Sequence, residues 1–247
     1  MNQIANITEI FSSIQGEGPY TGTNMTFVRF AGCNINCRWC DTDTTLNSEM
    51  TYRIETPPQS GKFITHKNPV TAESLNNHLI YFTDNYIAVT GGEPLLQSVF
   101  LIEWLGSANF GKKILLETNG ICFDELKAIS RYIDIISMDI KLPSSTGGRS
   151  FWNEHSKFIN SALHSGKEFY IKIVVTPDTS NKDLQDAITM ISSANKFIPV
   201  VIQPVSETTK YRETISKAQI ESFARLCGMW LPNVKIMGQL HKEKGLL

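Results

Sequence analysis

Apolar positions along the chain follow two alternating rhythms. Residues 7–14 alternate and are β-branched, which predicts a strand; Gln15-Gly16-Glu17-Gly18-Pro19 breaks it with two glycines and a proline and predicts a loop. Residues 25–31 predict a second strand, ended by Gly32. From Val70 the rhythm becomes regular. Thr71 caps a helix to about residue 85, with Val70 and Leu75 as a hydrophobic staple and Leu75, Leu79 and Phe82 on one face. Strands then fall at 86–90, 113–118, 134–140, 168–175, 199–203 and 233–237. Between them come helices at 95–109, 124–133, 151–165 with Gly166 as C-cap, 180–195 and 216–227 followed by Gly228. Strands separated by helices of this length predict right-handed crossovers and a parallel sheet, either doubly wound or closed into a full or partial (β/α) barrel.

Two stretches depart from this order. Residues 43–68 are polar, contain Pro57-Pro58 and show no helical or strand period, so they read as an insertion or mobile loop within an otherwise single domain, 1–247. Arg29 lies inside an apolar strand, where its charge calls for a buried acidic partner or an anionic ligand, unless that strand face is exposed.

The polar residues of the predicted core collect at one kind of place. Gln15, Glu17, residues 33–40, 90–93, 117–119, 137–141 and Gln203 stand at or just past predicted strand C-termini. In parallel α/β folds that edge carries the active site. For Glu117 a pairing with Lys113 is the plainer role.

Three of those residues are thiols, Cys33, Cys37 and Cys40, spaced C-x3-C-x2-C. They are too close for three separate structural roles and point to one inorganic centre. Structural zinc wants four ligands, commonly as two separated pairs; here Cys122 and Cys227 stand alone, and His66 could serve as a fourth only by chance. A dithiol redox pair would use Cys37 and Cys40 and leave Cys33 unexplained. A four-iron cluster on three thiolates leaves one iron open to a small molecule, which suits a catalytic site. Iron–sulfur is the better reading and zinc the alternative.

Charge and composition narrow the partners. Lys and Arg number 23 against 24 Asp and Glu, a net charge of −1, so neither nucleic acid nor an anionic membrane is expected as a partner. At 247 residues and 41% apolar content the chain can bury a full core. No apolar run reaches the ~18 residues of a membrane helix, and five cysteines, three of them clustered, do not form a secreted disulfide framework. A cytoplasmic protein is the expectation.

The cysteine spacing with Trp39 before the last thiol resembles the signature of the radical S-adenosylmethionine superfamily, and Gly91-Gly92-Glu93-Pro94 resembles its GGE motif. More narrowly, Ser13 to Gly18, Phe27-Val28-Arg29, Cys40-Asp41-Thr42, Thr90 to Pro94, Glu117 to Gly120, Ser137 to Lys141 and Gln239-Leu240-His241-Lys242 are similar to the 7-carboxy-7-deazaguanine synthase family, nearly end to end.

That resemblance implies a partial (β/α) barrel of about six to seven mostly parallel strands, of radical SAM type. It implies one [4Fe-4S] cluster on Cys33, Cys37 and Cys40, whose open iron would chelate S-adenosylmethionine and yield a 5′-deoxyadenosyl radical. Trp39 would lie near the adenine, Gly91 and Gly92 would approach the methionine and Glu93 its ammonium, while Ser137, Met138, Asp139, Gln203, Pro204, Val205 and Ser206 would border the nucleoside. Arg38, Asp41 and Lys141 are placed with the cofactor as well. The substrate implied is 6-carboxy-5,6,7,8-tetrahydropterin, met by Ile14, Gln15, Gly16, Glu17, Arg29, Thr90, Asn119 and His241, with Arg29 on its carboxylate; the Leu247 terminal carboxylate is a further candidate. The ring would contract with loss of ammonia, aided by Mg2+ on Thr42. An electron donor such as a flavodoxin and a homodimer are also implied. The runner-up activity is a glycyl-radical-generating activase of a partner enzyme, which shares this cysteine spacing. A non-catalytic zinc-binding module is the reading from another class.

Overall fold

The computed structural model describes residues 3–40, 50–108 and 111–240. In chain order its strands are β1 (Ile4–Ala5), β2 (Ile7–Ile14), β3 (Asn24–Phe30), β4 (Thr51–Glu55), β5 (Phe63–Lys67), β6 (Val70–Thr71), β7 (Tyr86–Gly91), β8 (Lys113–Thr118), β9 (Ile135–Asp139), β10 (Glu168–Val175), β11 (Val200–Pro204) and β12 (Val234–Ile236). The helices are α1 (Ala72–Leu79), α2 (Ser98–Ser107), α3 (Phe123–Ile129), α4 (Pro143–Thr146), α5 (Trp152–His164), α6 (Asn181–Asn195) and α7 (Lys217–Gly228). Ten strands form one sheet in the order β12-β11-β10-β9-β8-β7-β3-β2-β4-β5, and β1 pairs with β6 apart from it. From β3 to β12 every pairing is parallel. This is the mostly parallel α/β sheet that the strand–helix alternation predicts, as a partial barrel with helices on one face.

The strands read as near-continuous apolar runs because both faces are covered. One face packs on the helices, with Phe30, Val89, Leu116, Met138, Ile171 and Ile202 buried there. The opposite, concave face carries an apolar floor of Phe11, Phe27, Ala88, Leu115, Ile135 and Tyr170. Two residues further along each parallel strand, at the next position of the same face, stand Arg29, Thr90, Glu117, Ser137 and Lys172. The period of two therefore sets a polar ring directly above an apolar floor, and the ring is the site.

Helix boundaries follow their caps. Thr71 Oγ1 accepts the Ser74 N–H at 3.2 Å, as the cap reading requires, and Ser180 and Ser216 cap α6 and α7 in the same way. Helix α1 ends at Leu79 and not near residue 85. Beyond it Phe82 turns into the core and Asp84 is drawn under the sheet, where its carboxylate accepts the Ser12 and Thr26 hydroxyls at 2.7 and 2.8 Å. Those bonds compete with further helical turns.

Two expectations need correction. In the described part of the polar segment, 50–68, β4 and β5 form an antiparallel hairpin that extends the sheet beside β2. Its period is hidden because Thr, Arg, His and Lys hold positions left exposed at a sheet edge, while Tyr52, Ile54 and Glu55 point inward. The second concerns Gln15 and Glu17. Strand β2 runs antiparallel to β3, with Ile14 opposite Asn24, so the loop after it leaves the sheet at the edge opposite to the strand C-termini. It joins the site by folding back over the concave face, with Gly18 (φ 69°) packed so closely on Tyr170 that a Cβ would lie 2.7 Å from the ring.

Candidate functional site

A cavity of about 430 Å3 opens on the concave face above the apolar floor. One wall is the segment after β3, from which Cys33, Cys37, Trp39 and Cys40 all border the space. Burial pushes the Cys33 thiol up and that of Cys37 up to about 11, so as free thiols both stay protonated at neutral pH; an electrophilic centre would be needed to hold them as thiolates. Among the described residues no three His, Cys, Asp or Glu side chains are gathered to hold a single ion. His66 stacks on Tyr52 in the hairpin at 5.4 Å and touches His78, so it is engaged there. Three soft sulfur donors bordering one cavity fit a cluster with an open iron; a further thiol, that of Cys122, lies nearby, accepting from Asn34 Nδ2 at 3.7 Å, but does not border the cavity.

The cysteine segment is fastened from both sides. Arg38 donates from Nε to Ser145 O at 3.0 Å, pairs with Asp178 at 2.8 Å and also reaches Ser144 O; Trp39 Nε1 donates to Ser145 Oγ at 3.1 Å. Arg38 thus serves as a clamp to α4 and does not border the cavity, whereas Trp39 does, with the Lys141 ammonium 4.6 Å from its ring centre. On the other side the two glycines after Thr90 press against the chain. A Cβ on Gly91 (φ 135°) would lie 2.1 Å from Phe30 O, and one on Gly92 would lie 2.1 Å from Gly32 O. The backbone of Gly92 and Glu93 bonds to Phe30 O and Gly32 O at 3.2 and 2.8 Å. The need for two glycines is therefore first a need of the protein's own backbone, with the cavity bordered by what remains exposed of them.

Glu93 stands behind this wall. It is fully buried, accepting from Leu95 N at 3.1 Å, Asn119 N at 2.7 Å and the Thr118 hydroxyl at 2.9 Å, and burial pushes its carboxyl up to about 7. Its geometry is that of a residue positioning Asn119. The Asn119 side chain in turn donates to Asn34 Oδ1 at 2.7 Å and lies 3.9 Å from Cys33 Sγ. Met138 and Pro204 also lie off the cavity, because the strand period turns Ser137, Asp139 and Gln203 inward and their neighbours away.

A chain of charge runs along the polar ring above the floor of the cavity. Lys141 pairs with Asp139 at 2.8 Å, Asp139 lies 3.5 Å from Lys172, and Lys172 Nζ bonds Glu17. Burial opposes both ammonium charges, yet the carboxylates outweigh it and hold Lys172 well above the ordinary lysine range. Glu17 also accepts from Gln203 Nε2 at 3.0 Å and from Gln239 Nε2. One buried acceptor on each of Asp139 and Gln203, Oδ1 and Oε1, has no partner among the described residues, and both residues border the cavity. These are acceptors for a ligand's donors. Val205 and Ser206 complete that side.

Across the cavity, Gln15 Nε2 donates to Glu117 Oε1 at 2.8 Å and Thr90 Oγ1 to Glu117 Oε2 at 2.6 Å, which replaces the pairing with Lys113. Ile14, Gly16 and Asn119 line this half with them. Arg29 is there too, held at Nε by Glu9 Oε1 at 2.9 Å. Its two terminal nitrogens have no partner among the described residues. Leu240 N bonds Gly16 O at 2.9 Å, which brings the tail to this loop. The expected roles of Asp41, Thr42, His241 and Leu247 lie outside the described residues.

Sequence reasoning missed Glu9, Lys172 and Gln239. The first two carried the signal that drew attention to Arg29, a charge within a strand of apolar period. Gln239 stands in the tail segment that carries the family resemblance, but nothing in its own residue type points to Glu17.

The comparisons with known proteins agree with this geometry. The Radical SAM superfamily matches residues 27–191. A protein of Geobacter sulfurreducens named 7-carboxy-7-deazaguanine synthase is 34% identical over 251 residues, 98% of each chain. One of the same name from Methanothermobacter thermautotrophicus is 31% identical, again over 98% of each. The crystal structure of QueE from Escherichia coli superposes with a TM-score of 0.60 at 20% identity, covering 96% of this chain and 95% of that one, a likeness of fold. The chain belongs to the radical SAM superfamily and, within it, to the 7-carboxy-7-deazaguanine synthase family.

Proposed function

We propose that this chain converts 6-carboxy-5,6,7,8-tetrahydropterin to 7-carboxy-7-deazaguanine, with loss of ammonia, in the formation of 7-deazapurines. The observation that carries the reading is the division of one cavity into two halves. Three thiols and Trp39 border one half, while Arg29, Glu117, Thr90 and Gln15 border the other. Cys33, Cys37 and Cys40 would hold a [4Fe-4S] cluster, which with S-adenosylmethionine supplies one-electron cleavage to a hydrogen-abstracting radical.

The protein's own part is placement. Asp139 Oδ1 and Gln203 Oε1 offer acceptors to the cofactor's hydroxyls, beside Trp39 and Lys141. The free edge of the Arg29 guanidinium faces the cavity and suits a carboxylate, bound through two parallel N–H donors. Glu117, already accepting from Gln15 and Thr90, adds an acceptor for the N–H groups of an aminopyrimidinone. The closed, apolar floor of Phe11, Phe27 and Leu115 excludes water from beneath the ring. Mg2+ on the Thr42 hydroxyl, a contribution of His241, a flavodoxin-like electron donor and a homodimer belong to the same reading.

The test is paired substitution. Cys33→Ala should load no four-iron cluster and make no 5′-deoxyadenosine. Arg29→Ala should load a full cluster yet raise KM for the carboxypterin at least about tenfold, the scale of a lost charge-assisted pair. An Arg29→Ala protein with unchanged KM would remove the substrate assignment.

A further inference from the structure

The hairpin β4–β5 has no part in the chemistry described above, but it reaches the cavity through one carboxylate. Parallel pairing of β2 with β4 sets Glu9 beside Arg53. Arg53 Nη2 lies 2.7 Å from Glu9 Oε2, while Glu9 Oε1 holds Arg29 Nε at 2.9 Å. The Arg53 guanidinium is steadied by Phe63 of β5, 4.7 Å from its ring centre, and that of Arg29 by Phe11 at 5.7 Å. Glu9 and Arg29 are 15% and 21% exposed and border the cavity, whereas Arg53 is 55% exposed at the rim.

Two guanidiniums thus share one carboxylate, and the charge of this trio decides what the outer edge of Arg29 attracts. With Arg29 and Glu9 alone the pair would be neutral, and Glu9 would repel a second carboxylate approaching Arg29. With Arg53 on the other oxygen the trio carries +1. Glu9 then grips only Nε of Arg29 and leaves its outer edge toward the cavity. We propose that Arg53 is a positioning residue, which through Glu9 keeps the outer edge of Arg29 available and offsets the Glu9 charge beside it for a carboxylate-bearing substrate. The hairpin is thereby part of substrate recognition. This rests on the reading that Arg29 binds the carboxylate of the pterin.

The effect is electrostatic and partly screened, because Arg53 lies at the rim. Arg53→Ala, reconstituted to full iron content, should raise KM for 6-carboxy-5,6,7,8-tetrahydropterin about fivefold at about 50 mM salt. It should keep kcat within about twofold and lose most of the difference at about 500 mM salt, where the screening length falls below the charge separation. Arg53→Lys should recover most of the affinity, and inhibition by a tetrahydropterin lacking the carboxylate should not change. Should Arg53→Ala fail to load its cluster, Arg53→Gln takes its place in the same assays. An unchanged KM at low salt, or equal weakening of the carboxylate-free analogue, would overturn the proposal and leave Arg53 a strut of the hairpin. Failure of the parent reading is separate: Arg29→Ala would then leave KM unaltered whatever Arg53 does.

Discussion

Gln15 and Glu117, 102 residues apart, are joined by a 2.8 Å hydrogen bond between their side chains. The bond matters because Gln15 follows a strand that runs the wrong way for the site. Without a partner on the concave face, nothing in the direction of β2 would bring its loop there.

Glu117→Ala should therefore do more than remove an acceptor. It strands the Gln15 amide and the Thr90 hydroxyl, each left partly buried at a cost of about 1–3 kcal/mol. We expect kcat/KM for the carboxypterin to fall by about two orders of magnitude, with cluster content unchanged. Steady-state kinetics with iron and sulfide assays checks both halves.

Gly92→Ala should act on cluster loading. Its Cβ would meet the Gly32 carbonyl at 2.1 Å, and backbone atoms cannot give way as a flexible side chain would. The expected result is a segment before Cys33 displaced from the GGE turn, less than half the wild-type iron after reconstitution, and a fall in thermal stability of several degrees. Wild-type iron content in Gly92→Ala would show that the close approach is not needed.

His155 sets a pH dependence of folding. It is fully buried, its Nε2–H donating to Asn119 O at 3.1 Å, while Nδ1 has no partner, and burial lowers its pKa from the ordinary 6.5 to about 4. The unfolded chain binds the extra proton first, so stability is lost as pH falls from 6.5 toward 4. At pH 5 this amounts to about 2 kcal/mol relative to neutral pH. His155→Gln keeps a donor for Asn119 and removes the titration. Denaturant unfolding of the apoprotein at pH 7.5 and pH 5 should show the acid loss in the wild type, reduced by about that amount in the variant.

Lys172→Met should be strongly destabilising, by about 3–5 kcal/mol. It leaves Glu17 and Asp139 without their shared cation in a site where all three side chains are 11–16% exposed. The double variant Lys172→Met/Glu17→Gln should recover part of that loss in the same unfolding measurement, since an unpaired buried charge costs more than a missing pair.

The alternation of strands and helices was legible in the sequence because burial on both sheet faces leaves near-continuous apolar runs such as Ile171 to Val175. The cysteine trio was legible because three thiols in eight residues need no tertiary context. What stayed hidden depends on direction or distance. The antiparallel course of β2 cannot be read from its own residues, so Gln15 was assigned to the right site by the wrong edge. The hairpin was missed because its exposed Thr, Arg and His positions mask the period of two. Glu93 was read as a ligand contact since its motif sits beside the site, whereas its acceptors are taken by Leu95, Thr118 and Asn119.

The most direct measurement is anaerobic turnover of the reconstituted protein with S-adenosylmethionine, a low-potential reductant and 6-carboxy-5,6,7,8-tetrahydropterin, followed by chromatography with mass detection. The expected product is 7-carboxy-7-deazaguanine, with release of ammonia in equal amount. Ample 5′-deoxyadenosine with no deazaguanine would contradict it, leaving the cluster half of the cavity in place and the substrate half misassigned.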